Sequence, residues 1–273
     1  MSPTFLDITA VSRVDESTFT AEIDGSSFIV RGPNGGYLAA LLMRALEARV
    51  ADLDGPARAA RSLTIHFPAA PVVGPATIDT EFIRVGRSLV TMAARLTQDG
   101  KPMAAALAAF SPPWPSEDWT DATPPDAAPW DDAPEPPAPP EPLPYFAHWD
   151  RRHTIGPVHF IESSETAETG GWIRLSDGSP MDTAAIAAVT DAWPPAVFVR
   201  DGVPAPQPVP TVDLTVHFRT AFPSPDVGPG DPVLVRFSTH TAREGFIEED
   251  GEVWSESGQL LAQSRQLAIL LPG

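Results

Sequence analysis

Few residues in this chain have the type and spacing to do chemistry. Its 273 residues include no cysteine, which removes thiolate nucleophiles, thiolate metal ligands and disulfides together. No G-x-S-x-G run occurs, so the nucleophile elbow of an α/β-hydrolase is absent. The six histidines, at 66, 148, 153, 159, 217 and 240, show no H-E-x-x-H or comparable metal spacing. No phosphate-binding loop or dinucleotide fingerprint is present. Carboxylate chemistry remains. Asp191 closes the apolar run SPMDTAAIAAVTDAW, and helical spacing sets it on one face with Ala184, Ala187 and Ala188. A carboxylate at a helix C-terminus gains nothing from that helix's dipole. Burial among small residues raises its pKa unless hydrogen bonds hold the anion. Two readings stay open on these residues alone: an exposed last-turn acid, or a buried acid available for proton transfer. Asp182, earlier in the same run, fits capping instead, with Ser179 as N-cap, Pro180 in the first turn and Asp182 as the third helical residue.

These acids need elements to hold them, and the chain supplies the same set twice. Ser62–Phe67 reads SLTIHF and Asp213–Phe218 reads DLTVHF, both alternating apolar and polar residues as half-buried strands do. A Gly/Pro turn follows each. Two strand-like runs come next, ATIDTEFIRV and SLVTMAARLTQ in the first half, PVLVRFSTHTA and GFIEEDGEVWSE in the second. A final strand closes each half, within DGKPMAAALAAF and SGQLLAQSRQLAIL. One helix precedes each set: PNGGYLAALLMRALEARV, opened by the glycine-rich GPNGG, and the Asp191 run, stopped by Pro194 and Pro195. Both helices are apolar around most of their circumference and so read as buried. A sheet curled around a central helix satisfies each half. His66 and His217 occupy equivalent strand positions in the two copies, which points to a structural or interface role.

Between the copies lies PPWPSEDWTDATPPDAAPWDDAPEPPAPPEPLP, residues 112–144, with 13 of the 33 prolines and eight carboxylates. Proline removes backbone donors and like charges extend a chain, so this reads as a solvated tether. Its three tryptophans, Trp114, Trp119 and Trp130, are the points where it would dock. The net charge of −18 argues against nucleic acid and anionic lipid as partners. No apolar run approaches the ~20 residues of a membrane span, and the first residues lack the basic-then-apolar order of a secretory signal. A cytoplasmic protein is expected.

The order of helix, long strand and meander, with GGYLAALL, SLTIHF and VGRSLVTMAARLTQDGKPMAAALAAF, resembles the double-hotdog acyl-CoA thioesterases of the thioesterase II type. The C-terminal TVDLTVHFRTAF adds to the likeness. The resemblance implies an α+β protein of two tandem hotdog domains, residues 1–111 and 145–273, joined edge to edge. It further implies acyl-CoA as substrate, with coenzyme A part of that substrate and no separate cofactor or metal. Such enzymes place an Asp at the end of the second helix, a Thr at the start of the following strand and a Gln in the last strand. These fall on Asp191, Thr211 and Gln266. At the matching positions the first half has Arg44, Ala60 and Ala108, which suggests one site rather than two. The trio suits a water activated by Asp191 and held by Thr211 and Gln266. Gly35 and Gly36 would bring backbone N–H groups to the thioester oxygen. Arg84, Arg87, Arg219, Arg236, Arg243 and Arg265 are candidates for the CoA phosphates. The alternative is a duplicated hotdog protein that binds acyl-CoA without turning it over. Further association of such units into homo-oligomers is left open.

Overall fold

The computed structural model describes residues 3–137, 143–203 and 207–271. The first half contains α1 (Phe5–Ile8), β1 (Val11–Arg13), β2 (Thr18–Ile23), α2 (Gly35–Val50), β3 (Ala59–His66), β4 (Gly74–Val85), β5 (Val90–Gln98) and β6 (Lys101–Ser111). The second contains β7 (Trp149–Ile155), β8 (Ala167–Leu175), α3 (Thr183–Val189), β9 (Thr211–Phe218), β10 (Val233–Thr239), β11 (Ala242–Arg243), β12 (Phe246–Trp254) and β13 (Leu260–Ile269). All pair antiparallel in the order β1-β2-β4-β5-β6-β3-β9-β13-β12-β10-β8-β7, with β11 beside β12. Counted outward from the β3–β9 junction, the two arms repeat one strand order, which is the duplication read from the sequence.

The junction fixes the symmetry. Thr64 and Thr215, 151 positions apart, stand opposite each other in the β3–β9 ladder, and the Thr215 hydroxyl donates to Thr64 Oγ1 at 3.1 Å. Each threonine thus pairs with its own counterpart in the other copy, so a local two-fold axis passes through this pair. Leu63, Ile65, Leu214 and Val216 point inward and are fully buried. His66 and His217 point outward on the same two strands and are exposed, at the junction between the copies.

Helix α2 is buried along nearly its whole length, and α3 completely, in one apolar core shared by both arms of the sheet. Helix α3 is shorter than the sequence suggests. Residues 179–181 stay outside it, and Asp182 rather than Ser179 is the N-cap, accepting from the Ala185 N–H at 3.0 Å. Asp182 also pairs with Arg44 of α2, so two partners on different elements fix the helix start at that residue.

The acidic proline-rich segment is not uniformly solvated. Trp114 and Trp119 are 64% and 82% exposed. Ala127–Ala133, in contrast, packs on the outer face of the second arm. There Trp172 Nε1 donates to the Ala128 carbonyl at 2.7 Å, and Trp130 and Ala133 join Ile155, Trp172, Leu234 and Trp254 in a small cluster. The guanidinium carbons of Arg174 and Arg152 lie 4.5 and 5.4 Å from the Trp130 ring centre. Trp130→Ala should therefore cost about 1–3 kcal/mol of stability in urea unfolding followed by circular dichroism. Trp119→Ala should change it by less than about 0.5 kcal/mol. Equal effects of the two would contradict this docking.

Candidate active site

Asp191 lies one residue beyond the C-cap of α3, and its own N–H donates to the Ala188 carbonyl at 3.1 Å. Its carboxylate faces the start of the other helix. The Gly36 N–H of α2 donates to Asp191 Oδ2 at 3.0 Å. Asn34, the N-cap of α2, accepts from the Tyr37 N–H through Oδ1 and donates from Nδ2 to the Asp191 carbonyl at 2.7 Å. The unfavourable end of one helix is thereby answered by the favourable end of the other: orphan N–H groups and the positive dipole end of α2 meet the anion. Burial still dominates and pushes the Asp191 carboxyl up to about 6, against the donors at Gly36, Gln266, Gly35 and Asn34.

The two glycines make this approach feasible. A Cβ at Gly36 would collide with the Ala188 carbonyl and approach Asn34 Oδ1 to 2.9 Å. One at Gly35 would lie 2.9 Å from Asp191 Oδ2 and 3.3 Å from the Phe67 ring. Both therefore serve helix-to-helix contact. The Gly36 N–H is engaged by Asp191, whereas Gly35 lines the cavity described below.

Thr211 and Gln266 come to the same place from β9 and β13. The Thr211 hydroxyl donates to Gln266 Oε1 at 2.8 Å, and Gln266 Nε2 donates to Glu249 Oε1 at 2.8 Å. These two bonds fix which way the amide faces. Glu249, on β12, was not singled out in the sequence. It is only 4% exposed, accepts from the Ala196 N–H at 2.6 Å, and burial pushes its carboxyl up to about 7. A signal for it exists: Ile247, Glu249, Gly251 and Val253 all face inward by strand alternation, so an acid stands in an apolar register.

Asp191, Thr211, Gln266, Glu249 and Gly35 all line one cavity of about 790 Å³, within the usual range for small-molecule sites. Its walls are mostly apolar and include Leu38, Phe67, Phe146, Trp193 and Phe198. Pro136, Pro137 and Leu143 of the tether region also reach it. None of the six arginines proposed for phosphate lines this cavity; Arg31 and Arg151 do. Arg236 and Arg265 are instead occupied by Glu252 and Asp250. Among the described residues no group of three or more His, Asp or Glu is arranged to hold a metal ion, and no helix is long and apolar enough to cross a membrane.

The position related to this site by the local two-fold is built from different residues. There Arg44 of α2 pairs with Asp182 at the start of α3, and the Glu47 carboxyl, raised by burial, is held by Thr183. Ala108 and its cross-strand neighbour Met92 stand where the other arm has Gln266 and Glu249. One copy carries the amide and carboxyls, and the other carries an ion pair and apolar side chains.

A mirrored antiparallel sheet with two buried helices packed antiparallel, and a carboxylate where the start of one meets the end of the other, defines a double-hotdog protein. The acyl-CoA thioesterase N-terminal domain family matches residues 25–111, and the acyl-CoA thioesterase C-terminal domain family matches residues 121–270. The chain belongs to the acyl-CoA thioesterase family. Among solved structures it is similar to a hotdog-fold protein from Alicyclobacillus acidocaldarius (28% identity, TM-score 0.87) and to a candidate thioesterase II from Thermobifida fusca YX (29%, 0.83), each over 100% of both chains. The acyl-CoA thioesterase II TesB2 of Mycobacterium marinum shares the fold at 19% identity, TM-score 0.75 and 97% of each chain. The thioesterase-like protein TwmA of Talaromyces wortmannii is 30% identical over 101 residues, a match spanning 36% of this chain and 28% of that protein.

The raised Asp191 carboxyl has a consequence for stability. Its folded value of about 6 lies above the ordinary 3.8, so its contribution is full below about pH 4 and is lost as pH rises through 6. Asp191→Asn should therefore stabilise the fold at pH 8 by roughly 1–2 kcal/mol and leave it nearly unchanged at pH 4. Urea unfolding at the two pH values checks this, and a variant less stable than wild type at pH 8 would contradict it.

Proposed function

We propose that this protein hydrolyses the thioester of an acyl-CoA, with Asp191 as general base. One observation carries the proposal: a half-buried carboxylate, held at the N-terminus of a helix and opening into an apolar cavity, beside an amide and a hydroxyl fixed in orientation. Hydrolysis needs a positioned water, a base near neutral pKa and a donor for the oxyanion. Asp191 takes a proton from water as the oxygen attacks the thioester carbon. Gln266 and Thr211 hold that water, and Glu249 keeps Gln266 in the required orientation. The Gly35 N–H, which lines the cavity beside the Asp191 carboxylate, is shared with the oxyanion while Gly36 stays on the carboxylate. Collapse of the tetrahedral species expels the CoA sulfur, which takes the proton back from Asp191. Carboxylic acid and free thiol leave, and no group beyond substrate and water is called on.

A non-catalytic acyl-CoA-binding protein is the second reading. It shares the cavity but does not require a base tuned close to neutrality. Thiol release from a panel of acyl-CoAs separates the two. Asp191→Ala should lower kcat by about 10²–10⁴. In wild type, kcat/KM should rise with pH about a midpoint near 6, because Asp191 acts as the anion. Saturable binding with no thiol release across the panel would favour the second reading, and equal turnover in wild type and Asp191→Ala would remove Asp191 from the chemistry.

A further inference from the structure

The charged and titratable side chains lining the cavity fall into two groups. Asp191 and Glu249 form one; Arg151, His153 and His159 form the other, and Arg31 also lines the cavity. Arg151 and His153 face inward from β7 because side chains alternate along a strand, while Asp150 and Arg152 face outward. The outward pair is satisfied: Asp150 by Arg174, and Arg152 by Glu135 and the Trp130 ring. Arg151 is different. Its guanidinium carbon lies 4.3 Å from the Phe146 ring centre and 5.9 Å from that of Trp193. Among the described residues it makes no hydrogen bond or ion pair, and burial alone pulls it down to about 10. The chain has 36 acidic residues against 18 Lys and Arg, and none of those described pairs with Arg151.

The neighbouring histidines do not supply that partner. His153 Nε2 is bonded to the Gly156 carbonyl at 2.9 Å, and His159 Nε2 to the Pro195 carbonyl at 3.3 Å. Burial, with His153 and Arg151 adding to it, pushes His159 down to about 4 and keeps it neutral. Arg151 is therefore the fixed positive charge of this group. A desolvated cation without a counter-charge is costly, and a guanidinium stacked against rings presents its edge for two-point pairing with a carboxylate.

We propose that Arg151 receives an anionic group on the acyl portion of the substrate, so that the preferred substrates are thioesters whose acyl chain carries a second carboxylate. This rests on the hydrolase reading above. The phosphates of coenzyme A are the other source of anionic oxygen, but they are multiply charged and strongly hydrated. They suit Arg31, which is exposed on the loop leading into α2, better than an arginine set among aromatic rings.

The test compares adipoyl-CoA with hexanoyl-CoA, matched in chain length, in wild type and Arg151→Met. Wild type should prefer adipoyl-CoA in kcat/KM by about tenfold to a hundredfold, and Arg151→Met should bring that ratio toward one. A wild-type ratio near one overturns the proposal. So does a variant that weakens both thioesters and free CoA alike with the ratio intact, which would assign Arg151 to phosphate. If neither thioester is hydrolysed, the hydrolase reading fails, and the ratio of their dissociation constants by calorimetry decides the anion site on its own. Should Arg151→Met fail to fold, the wild-type ratio and Arg151→Lys decide.

Discussion

The contact between the N-terminus of α2 and the C-terminus of α3 is the constraint on which the rest of the site depends. Two helix ends meet inside an apolar core, and each would leave backbone groups unsatisfied there. Asp191 answers one end and Asn34 the other, within a few ångströms. The arrangement demands glycine at 35 and 36, since either Cβ would intrude on the opposing helix or its carboxylate. It also demands that the two halves be docked in one register, because Asp191 and Gly36 are 155 positions apart. The β3–β9 ladder supplies that register, and the Thr64–Thr215 pair at its centre fixes it.

Duplication within one chain allowed the two equivalent contacts to diverge. A dimer of identical subunits would carry two copies of whatever stands at the helix contact. Here one contact carries Asp191 with Gln266 and Glu249 beside it, while the other has different residues. That second contact carries an ion pair between Arg44 and Asp182. The cavity side holds two carboxyls that burial raises.

The acidic segment between the copies contributes more than a connection. Its Ala127–Ala133 stretch covers apolar residues on the outside of the second arm, and Pro136, Pro137 and Leu143 reach the cavity wall. A chain at −18 must concentrate positive charge to hold an anionic ligand. Arg31 and Arg151 are the arginines that line the cavity, while Arg152 and Arg174 of the same region are engaged by Trp130 and nearby carboxylates.

Much of this was legible in the sequence. Alternation in SLTIHF and DLTVHF named the two central strands, and the apolar helices before them required a sheet to wrap each. The repeat also showed that Asp191 has Arg44 as its counterpart, which pointed to a single site. Alternation along β12 and β7 turns Glu249 and Arg151 inward, but an inward charge means little until its surroundings are known. The sequence left Asp191 undecided between an exposed and a buried acid and started α3 at Ser179. Asp182 resolves the second point by capping the helix and pairing with Arg44 on another element. The first could be decided only by the tertiary structure. Whether a carboxylate at a helix end is stabilised depends on what faces it, and here that is the start of a helix from the other half of the chain.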